Sequence, residues 1–128
     1  MHERAVYEYA IVRVVPRVER GEFVNVGVVV FCKAARMLDA RFQMDEARIL
    51  ARDTGADVEA IREQLAAMAE VANGGTEAGS LGALDAAERF RWLVAPRSTV
   101  VQPSPVHIGE GDPLDALQRL IETMVRVP

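Results

Sequence analysis

Three segments in the first third of the chain have the apolar pattern of β-strands. In residues 5–16, apolar side chains alternate over both faces, and Pro16 ends the strand because proline has no backbone N–H. The second strand is predicted from Glu22 or Phe23 to Cys32, after a short loop in which Gly21 permits a tight turn. A third strand, residues 36–44, follows a short link. Because short links join antiparallel neighbours, these segments predict a three-stranded meander.

Four later segments predict helices. They are residues 45–53, 57–72, 84–94 and 112–127. The second has apolar residues at steps of three and four, which places them on one helical face: Val58, Ile61, Leu65, Met68 and Val71. Asp57 and Asp112 are suitable N-caps, and Pro113 fits the first helical position. Residues 73–82 contain four glycines and predict a loop.

A late extended segment, residues 97–109, precedes the last helix. Pro103 and Pro105 each remove a backbone donor, so this segment is expected at the edge of the sheet. The order of elements predicts a single α+β domain over residues 1–128. In this fold the meander and the late edge strand form one antiparallel sheet, and three to four helices pack against one of its faces.

Composition and charge narrow the classes of function. The net charge of −4 argues against a sequence-independent grip on nucleic acid, which needs clustered positive charge. The single cysteine, Cys32, cannot form an internal disulfide, so a reducing compartment is expected. The start of the chain has no signal-peptide pattern, and the longest apolar run is too short for a membrane span. The sequence therefore predicts a cytoplasmic protein with no membrane partner.

The second strand is interrupted by one amide, Asn25, and one glycine, Gly27. Strict alternation places both on one face, with a bare position beside the amide, and places the valines at even positions on the opposite, core face. A buried amide needs partners, since leaving it unpaired costs about 1–3 kcal/mol. Two interpretations remain open. The pair marks a β-bulge in which the amide satisfies displaced backbone groups, or it belongs to a binding site.

Two blocks of the sequence resemble the bacterial domain-of-unknown-function family 3037, and the resemblance covers nearly the whole chain. The matching residues of the first block are Arg20, Gly21, Glu22, Phe23, Asn25, Val26 and Gly27. Those of the second block are Ser98, Gln102, Pro103, Asp112 and Pro113. The family brings no established activity. Its genes often lie beside one for a HipA-like kinase-fold protein, and the resemblance therefore implies a protein partner of that kind.

The candidate binding residues come from these two blocks. The hairpin supplies Arg20, Glu22, Asn25 and Gly27, and the late segment supplies Arg97, Ser98, Gln102, Ser104 and His107. Ser98, Gln102 and Ser104 share parity along an extended chain, whereas His107 does not. No nucleophile motif or glycine-rich phosphate loop accompanies them. His2 and His107 are the only histidines, so no zinc spacing exists, and no metal site or cofactor is expected.

Two hypotheses about function follow. The first is a small interaction module, without catalytic activity, that binds another protein through the hairpin, the late edge strand or both. The partner would be a HipA-like kinase-fold protein or another protein, and a homodimer is also left open. The second is a nucleotide- or small-molecule-binding enzyme. There Arg20 or Arg97 would hold a phosphate or carboxylate, Asn25 and Gln102 would orient it, and Glu22 or His107 would move a proton. It requires the two blocks to meet in space.

Overall fold

The computed structural model describes residues 5–126, which form an antiparallel sheet with helices on both faces. Its strands are β1 (Ala5–Val14), β2 (Val24–Cys32), β3 (Met37–Phe42), β4 (Val101–Pro103) and β5 (His107–Gly111). Its helices are α1 (Glu46–Arg52), α2 (Val58–Asn73), α3 (Ala86–Leu93) and α4 (Pro113–Leu120), which continues into a π-helical turn, Ile121–Val125. The predicted α+β class is confirmed.

The predicted meander is also confirmed. The strand order is β3–β2–β1–β4, and β5 pairs with β1 further along the edge that β4 occupies. The late segment is thus two strands rather than one, because the chain breaks its ladder around Pro103 and Pro105. Ser104 bridges the break: its backbone N–H donates to the Ile11 carbonyl, and its buried hydroxyl accepts from the Ile11 N–H at 2.9 Å.

The helix caps form as the sequence predicts. The carboxylate of Asp57 accepts from the Ala60 N–H, and that of Asp112 accepts from the Leu114 N–H at the start of α4. The segment expected as a glycine-rich loop contains 3-10 helical turns over Thr76–Ala83. Capping thus fixed the helix starts, while the glycines did not exclude short helical turns.

The expectation that helices cover one face of the sheet is wrong. Helices α2 and α3 pack on one face with Val12, Val14, Val29 and Phe31, and Ile49 of α1 joins them. We call this the α2 face. Helix α4 and the π turn pack on the other face, the α4 face, with Tyr7, Ile11, Val28, Val30 and Cys32. Consecutive apolar residues in β2 are the sign of a strand buried on both sides.

A β-bulge in β2 corrects the predicted alternation. Val12 pairs with Gly27 and Arg13 pairs with Asn25, so Val26 is an extra residue opposite β1. Val24 and Val26 pack on the α2 face, whereas Val28 and Val30 pack on the α4 face. The even-numbered valines therefore do not share a face, and the predicted β-bulge is present, although Asn25 does not bond the backbone that it displaces.

The bulge also separates Asn25 from Gly27, which were expected as neighbours on one face. Gly27 faces the ring of Phe42, its partner in β3, and a Cβ at this position would overlap that ring. Asn25 points to the α4 face, where its amide meets the π turn. The bare position is therefore filled by Phe42 and does not adjoin the amide.

We predict that Gly27→Ala lowers the free energy of unfolding by about 1–3 kcal/mol, because the new methyl group overlaps Phe42 and lies 3.0 Å from the Arg41 carbonyl oxygen. Urea denaturation measures the effect. Gly55→Ala is the control, since its Cβ would make only ordinary contact. Adding Phe42→Leu should recover part of the loss. Equal unfolding midpoints for the two glycine variants would contradict the packing role of Gly27.

Candidate functional site

Three polar side chains lie side by side across the α4 face of the sheet. Arg13 in β1 has Asn25 of β2 as its partner on one side and Gln102 of β4 on the other. Arg13 shares the parity of Ile11, which packs on the α4 face, and Gln102 follows Val101, which packs on the α2 face. We call Asn25, Arg13 and Gln102 the Arg13 row. Asn25 and Gln102, one from each sequence block, therefore lie on the same face of the sheet with Arg13 between them.

Asn25 joins the row to the end of the last helix. Its side-chain Nδ2 donates to the Met124 carbonyl at 2.9 Å, so the amide caps the π turn. It does not satisfy the displaced backbone of the bulge, as the sequence interpretation had proposed. The Oδ1 atom of Asn25 is buried and has no hydrogen-bond partner among residues 5–126.

Arg13 is the centre of the row, and sequence reasoning missed it. Its Cζ lies 4.2 Å from the centroid of the Phe23 ring, a cation–π contact that covers one side of the guanidinium. Its Nε is buried without a hydrogen-bond partner, and no carboxylate in the described part of the chain pairs with it. A lone charge in an otherwise apolar strand face was the signal that could have identified it.

Gln102, at the other end of the row, is held by its own loop. Its Nε2 donates to the Thr99 carbonyl at 2.7 Å. With Arg97 and Ser104 it also lines an open groove of about 460 Å³, whose other walls are apolar: Val94, Pro96, Pro103, Pro105 and Val106. Three of the predicted residues from the late segment thus border one depression beside β4.

The cations expected to hold an anion are engaged elsewhere. Arg20 forms an exposed ion pair with Glu22 at 3.1 Å on the turn between β1 and β2. Arg97 donates to the Trp92 carbonyl at 2.6 Å, and the Cζ atom of Arg97 lies 4.7 Å from the centroid of the Trp92 ring. Desolvation on burial lowers the pKa of the Arg97 guanidinium. Both arginines therefore have local structural partners.

The remaining predicted residues do not assemble a catalytic set. Ser104 is buried, and its hydroxyl completes the β1 ladder and donates to the Pro105 carbonyl. Ser98 is exposed in the loop before β4. His107 is exposed and stacks on Tyr9, its partner in β1, with ring centroids 5.3 Å apart. It lies four residues from Arg13 along β1, or about 13 Å.

Of the residues that the enzyme hypothesis requires, the orienting amides Asn25 and Gln102 lie in the Arg13 row, but the proposed proton carriers lie outside it. Glu22 is paired on the turn and His107 is further along the sheet. Cys32 is buried on the α4 face, with its sulfur 3.5 Å from the Val6 carbonyl oxygen. In the described part of the chain, no three His, Cys, Asp or Glu side chains are grouped to hold a metal ion; His2 lies outside it.

The sheet edge formed by β4 and β5 has two different halves. Hydrogen bonds between Ile11 and Ser104 show that odd-numbered residues of β1 face this edge, so Val101 and Pro103 turn their backbone groups outward. Pro103 has no N–H, and the Val101 carbonyl accepts from the Thr99 hydroxyl at 2.8 Å. The β4 half is therefore blocked against a further strand.

Within residues 5–126, neither a proline nor a side-chain hydrogen bond blocks the outward backbone of Ile108 in β5. Ile108 faces outward with its backbone N–H and C=O, and within residues 5–126 β5 pairs only with β1. The side chains of Ile108 and Val6 are 75% and 60% exposed on the neighbouring surface. Lys33 and Arg36 border the same shallow depression, together with Glu8. We call Val6, Ile108, Lys33 and Arg36 the β5 surface.

Comparison with protein families gives a match that covers nearly the whole chain. The family model described as "Protein of unknown function (DUF3037)" matches residues 9–125. No curated protein and no solved structure shows significant similarity to the chain. Among residues 5–126, none of the helices has the length and apolar character needed to cross a membrane.

We predict that Asn25→Ala lowers the free energy of unfolding by about 1 kcal/mol, because the Met124 carbonyl loses its donor. Hydrogen exchange should also become faster at the Arg126 amide, which closes the π turn on Ile121. Asn73→Ala, at an exposed position in α2, is the matched control. If Asn25→Ala is no less stable than this control and exchange at Arg126 is unchanged, Asn25 does not hold the π turn.

Proposed function

This chain belongs to the DUF3037 family, and we propose that it is a small protein-interaction module that binds an extended segment of a partner protein along β5. The observation that supports this most directly is the outward-facing backbone of Ile108, which pairs with no further strand among residues 5–126. Strand addition there would continue the sheet beyond β5.

The backbone of Ile108 would supply the main-chain part of the contact. An added strand would accept from its N–H and donate to its C=O, which are the bonds that hold a peptide in strand addition. Gly109 and Gly111 add no side-chain bulk along the edge, and β5 contains no proline. The β4 half offers no equivalent, because of Pro103 and Thr99.

The β5 surface would supply specificity. An apolar side chain of the added strand would cover Ile108 and Val6, which are both strongly exposed. Lys33 and Arg36 have no ion-pair partner among the described residues, so an acidic residue in the partner segment would complement them. Glu8 lines the same depression beside Ile108 and disfavours an acidic residue directly above it.

The partner class we propose is the one that the family resemblance implies, a HipA-like kinase-fold protein of the kind often encoded beside members of the family. The area of a single added strand is small, so a transient or regulated contact suits it better than an obligate complex. A further contact from the hairpin turn at Arg20 and Glu22 would enlarge the interface.

We predict that Ile108→Pro abolishes co-purification with the neighbouring kinase-fold protein. Proline removes an outward N–H and breaks no bond to β1, so the module itself should stay folded. Ile108→Lys should lower recovery of the partner at least tenfold, which is on the order expected when an interface loses an apolar anchor. Leu84→Lys, at an exposed apolar position away from β5, should leave recovery unchanged.

Two results would overturn the proposal. In one, the chain elutes alone when co-expressed with the kinase-fold protein, or Ile108→Pro retains the partner as well as the unmodified chain does. In the other, size-exclusion chromatography shows a dimer that Ile108→Pro converts to a monomer, which would make a second copy the occupant of this edge.

A further inference from the structure

The Arg13 row carries a positive charge that the described part of the protein does not balance. Arg13 lies on the α4 face beyond the residues that α4 covers, and no carboxylate among residues 5–126 pairs with it. We propose that the Arg13 row is a binding site for a carboxylate group on an apolar body. This site is separate from the β5 surface, and the proposal does not depend on strand addition there.

The geometry of Arg13 suits a planar carboxylate. The Cζ atom lies over the Phe23 ring, 4.2 Å from its centroid, so one side of the guanidinium is covered. Nε is buried without a hydrogen-bond partner, and the two terminal nitrogens form no ion pair within residues 5–126. They form the end of the guanidinium fork, which binds both oxygens of a carboxylate in its plane.

The two flanking amides would define the sides of the site. Asn25 is fixed by its bond to the Met124 carbonyl, and Gln102 is fixed by its bond to the Thr99 carbonyl. Both residues are direct cross-strand partners of Arg13, so all three lie on rigid, paired backbone. The Oδ1 of Asn25 is a buried acceptor without a donor among residues 5–126, so the amide is held in place by its Nδ2 alone.

The charge count favours a carboxylate over a phosphate. Two other arginines of the hairpin turn are neutralised by ion pairs, Arg17 with Glu19 and Arg20 with Glu22. The one guanidinium of the Arg13 row, on a chain of net charge −4, matches a monoanion better than a phosphate dianion. No helix N-terminus contributes to the row, since Asn25 meets the C-terminal end of the π turn.

Phe23 favours an apolar body next to the carboxylate. Its ring is 44% exposed although one face is covered by Arg13. A ligand held by the guanidinium would bring its adjoining atoms over this ring. A free aromatic acid and the C-terminal carboxylate of a peptide share this chemistry, and the probes below separate them.

NMR titration of the unmodified protein tests the proposal. Adding sodium benzoate should shift the Arg13 Nε–H signal and the side-chain amide signals of Asn25 and Gln102 together and saturably. Benzamide, which has the same shape and no charge, should not. The Arg20 Nε–H and the exposed Gln64 amide are internal controls. Tighter binding of N-acetylphenylalanine than of benzoate would identify a peptide terminus, and the reverse order a free acid.

Matched variants locate the effect. Arg13→Lys keeps the charge and loses the fork, so benzoate affinity should fall at least tenfold, which is on the order of one lost charge-assisted bond. Arg20→Lys, on the same hairpin, should leave affinity unchanged. The proposal is overturned if benzoate causes no saturable shift at Arg13, if benzamide acts equally, or if inorganic phosphate binds more tightly. The unmodified protein decides these outcomes even if Arg13→Lys does not fold.

Discussion

Val26 is an extra residue in β2, and its insertion decides which side chains of this strand lie on the α2 face and which lie on the α4 face. Before the bulge, Val24 packs on the α2 face; after it, Val28 and Val30 pack on the α4 face. Without the insertion, Asn25 and Gly27 would share a face. With it, Gly27 receives the Phe42 ring on one side of the sheet and Asn25 reaches the Met124 carbonyl on the other. The insertion of one residue therefore determines side-chain contacts on both faces of the sheet.

The same insertion places Arg13 between two amides. The shift occurs between Val12 and Arg13, so Arg13 faces Asn25 rather than Val26. β4 then adds Gln102 on the other side through the ordinary antiparallel ladder. Local irregularity of this kind concentrates near functional positions, since it redirects side chains that a regular strand would fix. The row is therefore a product of pairing between strands, and no single strand contains it.

Much of the fold could be read from the sequence, because its signals are local. Asp57, Asp112 and Pro113 mark helix starts through bonds within one turn, and the meander follows from short links. The bulge could not be located, since the valines of β2 satisfy alternation in either register. Arg97 was assigned to the site because an arginine can hold an anion. Its actual partner, Trp92, is determined by the path of the chain after α3. The apolar run from Val28 to Cys32 did indicate burial on two sides, and it was the neglected signal.

The covering of β1 by α4 has a consequence for how the protein is made on the ribosome. Tyr7 and Ile11 emerge early, whereas Leu117 and Leu120, which cover them, are translated far later. Until then the apolar α4 face of the first hairpin is exposed, and β4 and β5 have not yet been synthesised. The apolar surface of this hairpin is thus exposed for longer during synthesis than in a fold whose early strands are covered by early helices.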